Sequence, residues 1–235
     1  MLKKKIYAFI CARGGSKGIK NKNIKLFCGK PLISYSIKSA LKNKMIKKVI
    51  VSTDSEKISK ISKIYGAEVP FKRPKKLAQD NSKEWLVWKH LMNFLKTKND
   101  LPDIVISLPT TSPLRKDIDI NNCINKFIRN KKSDMLITVT KPHRNPFFNM
   151  IQIKKNKFAK ILNENKTNYI SNRQEAPTVY DVATVAYVTT PRYILRANKM
   201  FFGDVDIHEV PKIRAVDIDN KIDFEYAEYL KRKDR

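Results

Sequence analysis

The stretch IYAFICARGGSKGIKNKN, residues 6–23, decides the fold. Its first six residues form an unbroken apolar run, the pattern of a strand buried on both faces of a parallel sheet. The chain then turns polar at once. Arg13, Gly14, Gly15, Ser16, Lys17 and Gly18 form a loop. Its glycines, lacking a Cβ, let the backbone approach a polyphosphate and expose N–H groups to it. Arg13, Lys17, Lys20 and Lys22 bring positive charge to the same place. A P-loop would need a GKS or GKT ending with four residues between its glycines, and the GxGxxG spacing of a dinucleotide fold is also missing. A solvated glycine turn in a basic protein would account for GGSKG alone, but not for the residues on its C-terminal side.

The longer string ARGGSKGIKNKNIKLFCGKPLISYSI, residues 12–37, resembles the opening of the cytidylyltransferases that activate sialic acids and related nonulosonic acids. That opening has the form ARxGSKGxxxKN followed by GKPLI. The resemblance implies an α/β fold with a Rossmann-like, mostly parallel sheet flanked by helices, of the nucleotide-sugar transferase (GT-A-like) type, carrying a dimerisation arm. It also implies that Ala12, Arg13, Gly14, Gly15, Ser16, Lys17, Lys22 and Asn23 meet the nucleotide CTP.

With 235 residues, of which 42% are hydrophobic, the chain has room for one substantial core, and residues 1–235 are expected to form a single domain. No run of about 18 apolar residues appears, and the lysine-rich start leads straight into a strand, so neither a membrane span nor a secretory signal is expected. Cys11, Cys28 and Cys123 are odd in number and widely spaced, which argues against a disulfide framework or zinc site and fits the reducing cytoplasm. The formal net charge of +27 would suit a nucleic acid or another polyanion. The lysines, however, are spread along the chain without a basic arm. A nucleic-acid-binding protein without turnover leaves the linked motifs unexplained, so no specific nucleic acid is expected as a partner.

Pro31 followed by Leu32, Ile33, Ile37, Ala40 and Leu41 predicts a helix. Residues 48–52 read as a second strand, and Thr53, Asp54 and Ser55 offer N-cap chemistry for a helix that Gly66 ends. The next segment, AEVPFKRPKKLAQDNS, is similar to the family's VPFxRPxxLAxD stretch. By that likeness Arg73 contacts the base, with Ala78, Asp80 and Ser82 nearby. Residues 83–96 place Trp85, Trp88, Met92 and Leu95 at helical spacing, a core stripe rather than a stacking platform.

A buried strand over residues 103–108 leads into PTTSPLR, residues 109–115. Loops after parallel strands gather at the ligand-binding edge of such sheets, so Thr110, Thr111, Ser112 and Arg115 are expected on the sugar side of the site. The family commonly reads QPTSPLR, its glutamine touching the sugar; here that position is Pro109. A helix over residues 118–129 and a strand over 134–139 continue the alternation.

Residues 141–178 break the pattern, and by resemblance they form the arm that makes a homodimer and reaches the partner's active site. Lys141, Arg144, Asn145, Arg173 and Gln174 would then help bind the acidic sugar. Residues 181–189 return to strand composition. Tyr187 matches the family, whereas ATVAYV stands where an NGA-type segment is usual. The two departures favour a nonulosonate other than standard N-acetylneuraminate, with legionaminate-like or pseudaminate-like acids as candidates. A cytidylyltransferase for Kdo is the alternative.

In AVDIDNKIDFEYAE, residues 215–228, Asp217 and Asp219 stand two apart, and in an extended segment both point to one face, where they could meet one hard cation. They match the family's DID metal motif, which implies Mg²⁺. Asp223 is expected to cap the terminal helix. Arg13, Lys22, Asp217 and Asp219 are the catalytic candidates, because phosphoryl chemistry depends on positioning and charge stabilisation.

Overall fold

Side chains alternate across β1 (Ile6–Cys11), and the alternation feeds two cores at once. Ile6, Ala8 and Ile10 point into one cluster, Tyr7 and Phe9 into another, which is why the strand reads as unbroken apolar sequence. The computed structural model describes residues 4–155, 157–163 and 170–234; residues 156 and 164–169 of the expected arm lie outside that description.

After β1, a small hairpin of β2 (Leu26–Phe27) and β3 (Lys30–Pro31) leads into α1 (Leu32–Lys42), β4 (Ile46–Ser52), α2 (Glu56–Ile64) and α3 (Glu84–Thr97). Next come β5 (Ile104–Ser107), α4 (Asp117–Arg129) and β6 (Met135–Thr140). A second small hairpin, β7 (Ile151–Ile153) and β8 (Ala159–Ile161), falls inside the expected arm. The chain closes with β9 (Asp181–Thr189), α5 (Pro191–Arg196), β10 (Val205–Glu209) and α6 (Lys221–Lys233).

The main sheet runs β10-β6-β9-β5-β1-β4. Every strand in it is parallel except β9, which lies antiparallel between β5 and β6. Helices α1, α2 and α4 cover one face through residues such as Ile33, Ile37, Ile58, Ile120 and Ile124. Helices α3 and α5 cover the other. The Trp85, Trp88, Met92 and Leu95 stripe is core, as its spacing predicts, and His90 stands edge-on to the ring of Phe71. No helix among the described residues is long and apolar enough to cross a membrane.

A third, smaller cluster matters most for the site. Ile19, Phe27, Leu32, Leu114, Ile218 and Phe224 pack together, with Phe27 edge-on to both Tyr35 and Phe224. This patch clamps the end of the glycine loop against the segment that precedes α6. Helix α6 starts with a capping box: Asn220 accepts from the Asp223 N–H, and Asp223 accepts from the Asn220 N–H. Asp223 thus has the capping role its position predicts.

Away from the loop edge, Asp100 ties three elements together. It accepts from Lys48 Nζ at 2.7 Å, Lys5 Nζ at 2.7 Å and Tyr7 Oη at 2.6 Å. These donors, Lys48 foremost, hold its carboxyl well below the usual carboxylate range. Because the folded-state pKa is depressed, the stabilisation is complete above an unfolded-state pKa of about 3.9 and is lost as pH falls through the folded value. Asp100→Asn should destabilise the protein by about 1–2 kcal/mol at neutral pH. It should also flatten the acid-side fall in thermal midpoint below roughly pH 4. Thermal melts across that range test this, and an acid profile identical to wild type would count against the cluster.

Candidate active site

The loops after β1 and β5 and the segment between α2 and α3 meet over one cavity of about 450 Å³. From the sequence-predicted residues it gathers Arg13, Ser16, Lys17, Lys22 and Asn23 from the loop after β1, Arg73 and Ser82 from the segment before α3, Thr110 and Thr111 from the loop after β5, and Tyr187 from β9. Asp219 closes it from the segment before α6.

The glycine loop is held in place by polar contacts on both sides. The Gly14 N–H donates to Asp54 Oδ1 at 3.0 Å, and the Ala12 N–H donates to the Ser52 carbonyl. Asp54 therefore orders the loop, while Ser55 supplies the N-cap of α2 by accepting from Ile58 N. Ala12, Gly14 and Gly15 lie apart from the gathered side chains. The first two have their N–H groups occupied, and none of the three lines the cavity. Asn23, 5% exposed, donates from Nδ2 to the Arg13 carbonyl and accepts from Thr110 Oγ1 at 2.6 Å, so it couples the β1 and β5 loops.

Gly18 is the point of closest approach. A Cβ there would stand 2.1 Å from the Asp219 carbonyl oxygen, so only glycine lets the loop lie against residues 217–219. Lys22 Nζ donates to the Ile218 carbonyl and lies 3.4 Å from Asp219 Oδ1, and its side chain is only 14% exposed. Ile218 is fully buried, and the two aspartates flank it. Asp219 is exposed to the cavity, while Asp217 is half-buried, with an Oδ1 that has no hydrogen-bond partner. Among the described residues no group of three or more His, Cys, Asp or Glu could hold a metal. Asp219 lines the cavity and Asp217 does not, but two carboxylates two residues apart, one with an orphaned oxygen, beside the glycine loop are of the kind that suits Mg²⁺, which takes one or two protein carboxylates and completes its shell with phosphate oxygens and water.

Arg73 is 4% exposed and donates from Nε to Ser52 Oγ at 3.0 Å and from Nη2 to the Ser52 carbonyl. Leu77, Gln79, Asp80 and Glu84 also line the cavity; Leu77 and Asp80 fall on fixed positions of the motif, Gln79 and Glu84 do not. Ala78 does not line the cavity and closes a short turn by donating to the Lys75 carbonyl. Asp80 reaches across to the glycine loop, 2.5 Å from Arg13 Nη1 and 2.7 Å from Lys17 Nζ. Its hydrogen bonds to Lys17 and Arg13 lower its pKa. Burial raises the pKa of the Cys11 thiol at the cavity floor, helped by the nearby Glu84 carboxylate, so this cysteine is a poor nucleophile.

Arg115 and Ser112 do not face the cavity as expected. Arg115 is 5% exposed and donates to the Val185 carbonyl at 2.9 Å, to Ser36 Oγ at 2.6 Å and to the Pro109 carbonyl. Burial lowers its pKa to about 9, against the pull of Asp119, Tyr187 and Asp217. It is the frame on which the PTTSPLR loop hangs. Ser112 is fully buried and hydrogen-bonds to Thr184 Oγ1 at 2.7 Å.

Thr184 itself lines the cavity because β9 bulges. Ile137 pairs with Tyr187 but Thr138 pairs with Ala183, leaving three residues of β9 without a match on β6. Thr138 Oγ1 donates to the Ala183 carbonyl at 2.6 Å and accepts from Ala186 N at 3.1 Å, holding the bulge. Such bulges re-aim side chains next to sites. An apolar strand pattern does not register the insertion, so Thr184 is absent from the sequence-predicted set.

Lys141, Arg144, Arg173 and Gln174 line a separate cavity of about 270 Å³, not the main one. Arg173 donates to the His143 carbonyl at 2.6 Å. Asn145 is 6% exposed, and its amide pins the Pro177 carbonyl and accepts from Phe147 N, so it has a structural role.

A family model described as cytidylyltransferase matches residues 7–234. The chain is 35% identical over 228 residues to the CMP-N,N'-diacetyllegionaminic acid synthase of Campylobacter jejuni, covering 96% of this chain and 94% of that protein. It is 34% identical over 222 residues to the pseudaminic acid cytidylyltransferase of the same species, covering 94% of each. Among solved structures, a CMP:2-keto-3-deoxy-manno-octonic acid synthetase complexed with CTP superposes with a TM-score of 0.73 at 15% identity, covering 98% of this chain and 100% of that one.

Asp80 neutralises two cations that a polyphosphate would otherwise engage. Asp80→Asn should therefore tighten binding of inorganic tripolyphosphate roughly two- to fivefold at low ionic strength, an effect that salt erases. Calorimetric titration reads this directly, and weaker binding in the variant would mean that Asp80 orders the loop rather than competing with the anion.

Proposed function

The chain belongs to the cytidylyltransferase family, and on that basis we propose that it couples CTP to an acidic nonulosonate sugar, releasing pyrophosphate and forming the CMP-sugar. The observation that carries this reading is a single cavity in which the loop cations, Arg73, and the hydroxyl-lined end formed by Thr110, Thr111 and Thr184 converge. The relatives named for legionaminic and pseudaminic acid match at 34–35% over nearly the whole length, whereas the likeness to the octonic acid synthetase, at 15%, is one of fold. A legionaminate-like or pseudaminate-like acceptor is therefore favoured over Kdo.

In this reading the triphosphate lies along Arg13, Ser16, Lys17 and Lys22 with its base near Arg73. The sugar occupies the end lined by Pro109, Thr111, Thr184 and Tyr187, and its anomeric hydroxyl attacks the α-phosphorus in line with the departing pyrophosphate. Lys22 is well placed to neutralise charge that builds on the phosphate in the transition state, being held by the Ile218 carbonyl. The neutral wall of short hydroxyls and the prolyl ring gives the sugar shape and hydrogen bonds. Asp217 and Asp219 would hold Mg²⁺, which when bound supplies positive charge between two anionic substrates. Pyrophosphate release with CTP, ATP, GTP or UTP against legionaminate, pseudaminate, N-acetylneuraminate and Kdo tests the reading. Turnover is expected with CTP and one nonulosonate only, and the paired Asp217→Asn and Asp219→Asn substitutions should abolish the magnesium-dependent turnover. Release with Kdo alone would reject the acceptor class, and unaltered magnesium titration would reject the metal ligands.

The cations that an acidic sugar needs are divided: the loop holds its own, while Lys141, Arg144 and Arg173 lie in the second cavity. We propose that a homodimer brings these arm cations to the sugar end of a partner's cavity. The nearby hairpin leaves Ile151 at 62% and Ile153 at 66% exposure, an apolar surface suited to contact with a second copy. Ile151→Lys combined with Ile153→Lys should shift sedimentation from dimer to monomer and raise the KM for sugar while CTP affinity holds. A wild-type monomer at micromolar concentration would defeat the proposal.

A further inference from the structure

We infer that Glu84 reads the 4-amino group of the nucleotide base and so sets the preference for cytosine over uracil. The inference rests on the nucleotide site proposed above and adds a specificity-determining residue to it. Glu84 is the first residue of α3 and lines the main cavity, as Arg73 does. One turn along the same helix, Trp88 is 2% exposed and donates from Nε1 to Glu84 Oε1 at 3.1 Å. The buried indole orients the carboxylate from behind. A carboxylate offers about four lone-pair sites, and the Trp88 indole N–H and the Cys11 thiol leave others free.

Arg73 is fixed independently, by Ser52 at the end of β4. Arg73 and Glu84 both line the main cavity, as does Cys11. Cytosine carries a 4-amino donor next to its N3 and O2 acceptors. A guanidinium donor and a carboxylate acceptor held on separate frames complement that edge. Uracil replaces the amino group with the O4 acceptor, which would place lone pairs against lone pairs at Glu84. The helix position also explains why the residue escapes motif reading: a glutamate in the first turn of a helix is ordinary dipole chemistry, and only the packing shows that this one faces the cavity.

The test titrates CTP, UTP and inorganic pyrophosphate, each with magnesium, into the full-length protein and two variants. Wild type is expected to bind CTP more tightly than UTP. Glu84→Gln keeps an acceptor for Trp88 but can turn an amide donor toward O4, so the CTP-to-UTP affinity ratio should fall by about tenfold or more, with some gain in UTP binding. Glu84→Ala should lower the ratio by weakening CTP alone. Pyrophosphate affinity and the thermal midpoint should hold in both. An unchanged ratio in both variants, or equal losses for the two nucleotides, would overturn the inference and leave the nucleotide site standing. Failure of wild type to bind any nucleotide would remove the site and the inference together.

Discussion

A buried guanidinium must find acceptors for its N–H groups, and the cavity wall is assembled from those that Arg115 collects. Its fork reaches α1 through Ser36, its own loop through the Pro109 carbonyl, and the bulged part of β9 through the carbonyls of Val185 and Thr184. Leaving such a group unsatisfied in a 5% exposed position would cost several kcal/mol, on the order expected for a lone buried charge. The loop, the helix and the bulge therefore hold one another in register. Pro109, Thr110, Thr111 and Thr184 face the cavity as a consequence of that arrangement.

The opposite wall obeys a different constraint, one of contact rather than charge. Gly18 lies so close to the Asp219 carbonyl that no side chain fits between them, and the patch around Ile19, Phe27, Ile218 and Phe224 holds the two segments there. Lys22 crosses the same seam to the Ile218 carbonyl. The loop cations and the two aspartates are thus brought together by apolar packing beneath them, since like-signed neighbours such as Arg13, Lys17 and Lys22 would otherwise spread apart. The carboxylates of Asp80 and Asp219 lie against these cations. The surface excess of lysine, by contrast, is dispersed and plays no part in shaping the cavity.

Much of the architecture was legible in the chain. Unbroken apolar runs mark β1 and β5 as strands buried on both faces, and glycine-containing or hydroxyl-rich sequences directly after them mark the site edge, because local periodicity and turn chemistry are properties of neighbouring residues. The terminal capping box and the core stripe of α3 arise from short spacings in the same way. Arg115 shows the limit of that reading. An arginine in a motif loop looks like a ligand contact, and whether its fork meets a ligand or the protein's own carbonyls depends on groups from α1 and β9 that lie 70 or more positions away in the chain.

Thr184 and Glu84 are hidden for the same reason. Local sequence was enough to specify five of the main-sheet strands and most of the flanking helices, though not β10 or α5, together with the glycine loop, the aspartate pair and the family likeness, since each is written within a few consecutive residues. Packing between distant segments decided the antiparallel insertion of β9, the bulge that turns Thr184 inward, the use of Arg115 as a frame and the separation of the arm cations from the main cavity. Those features depend on which distant backbone groups satisfy one another once water is excluded, and no local pattern records that choice.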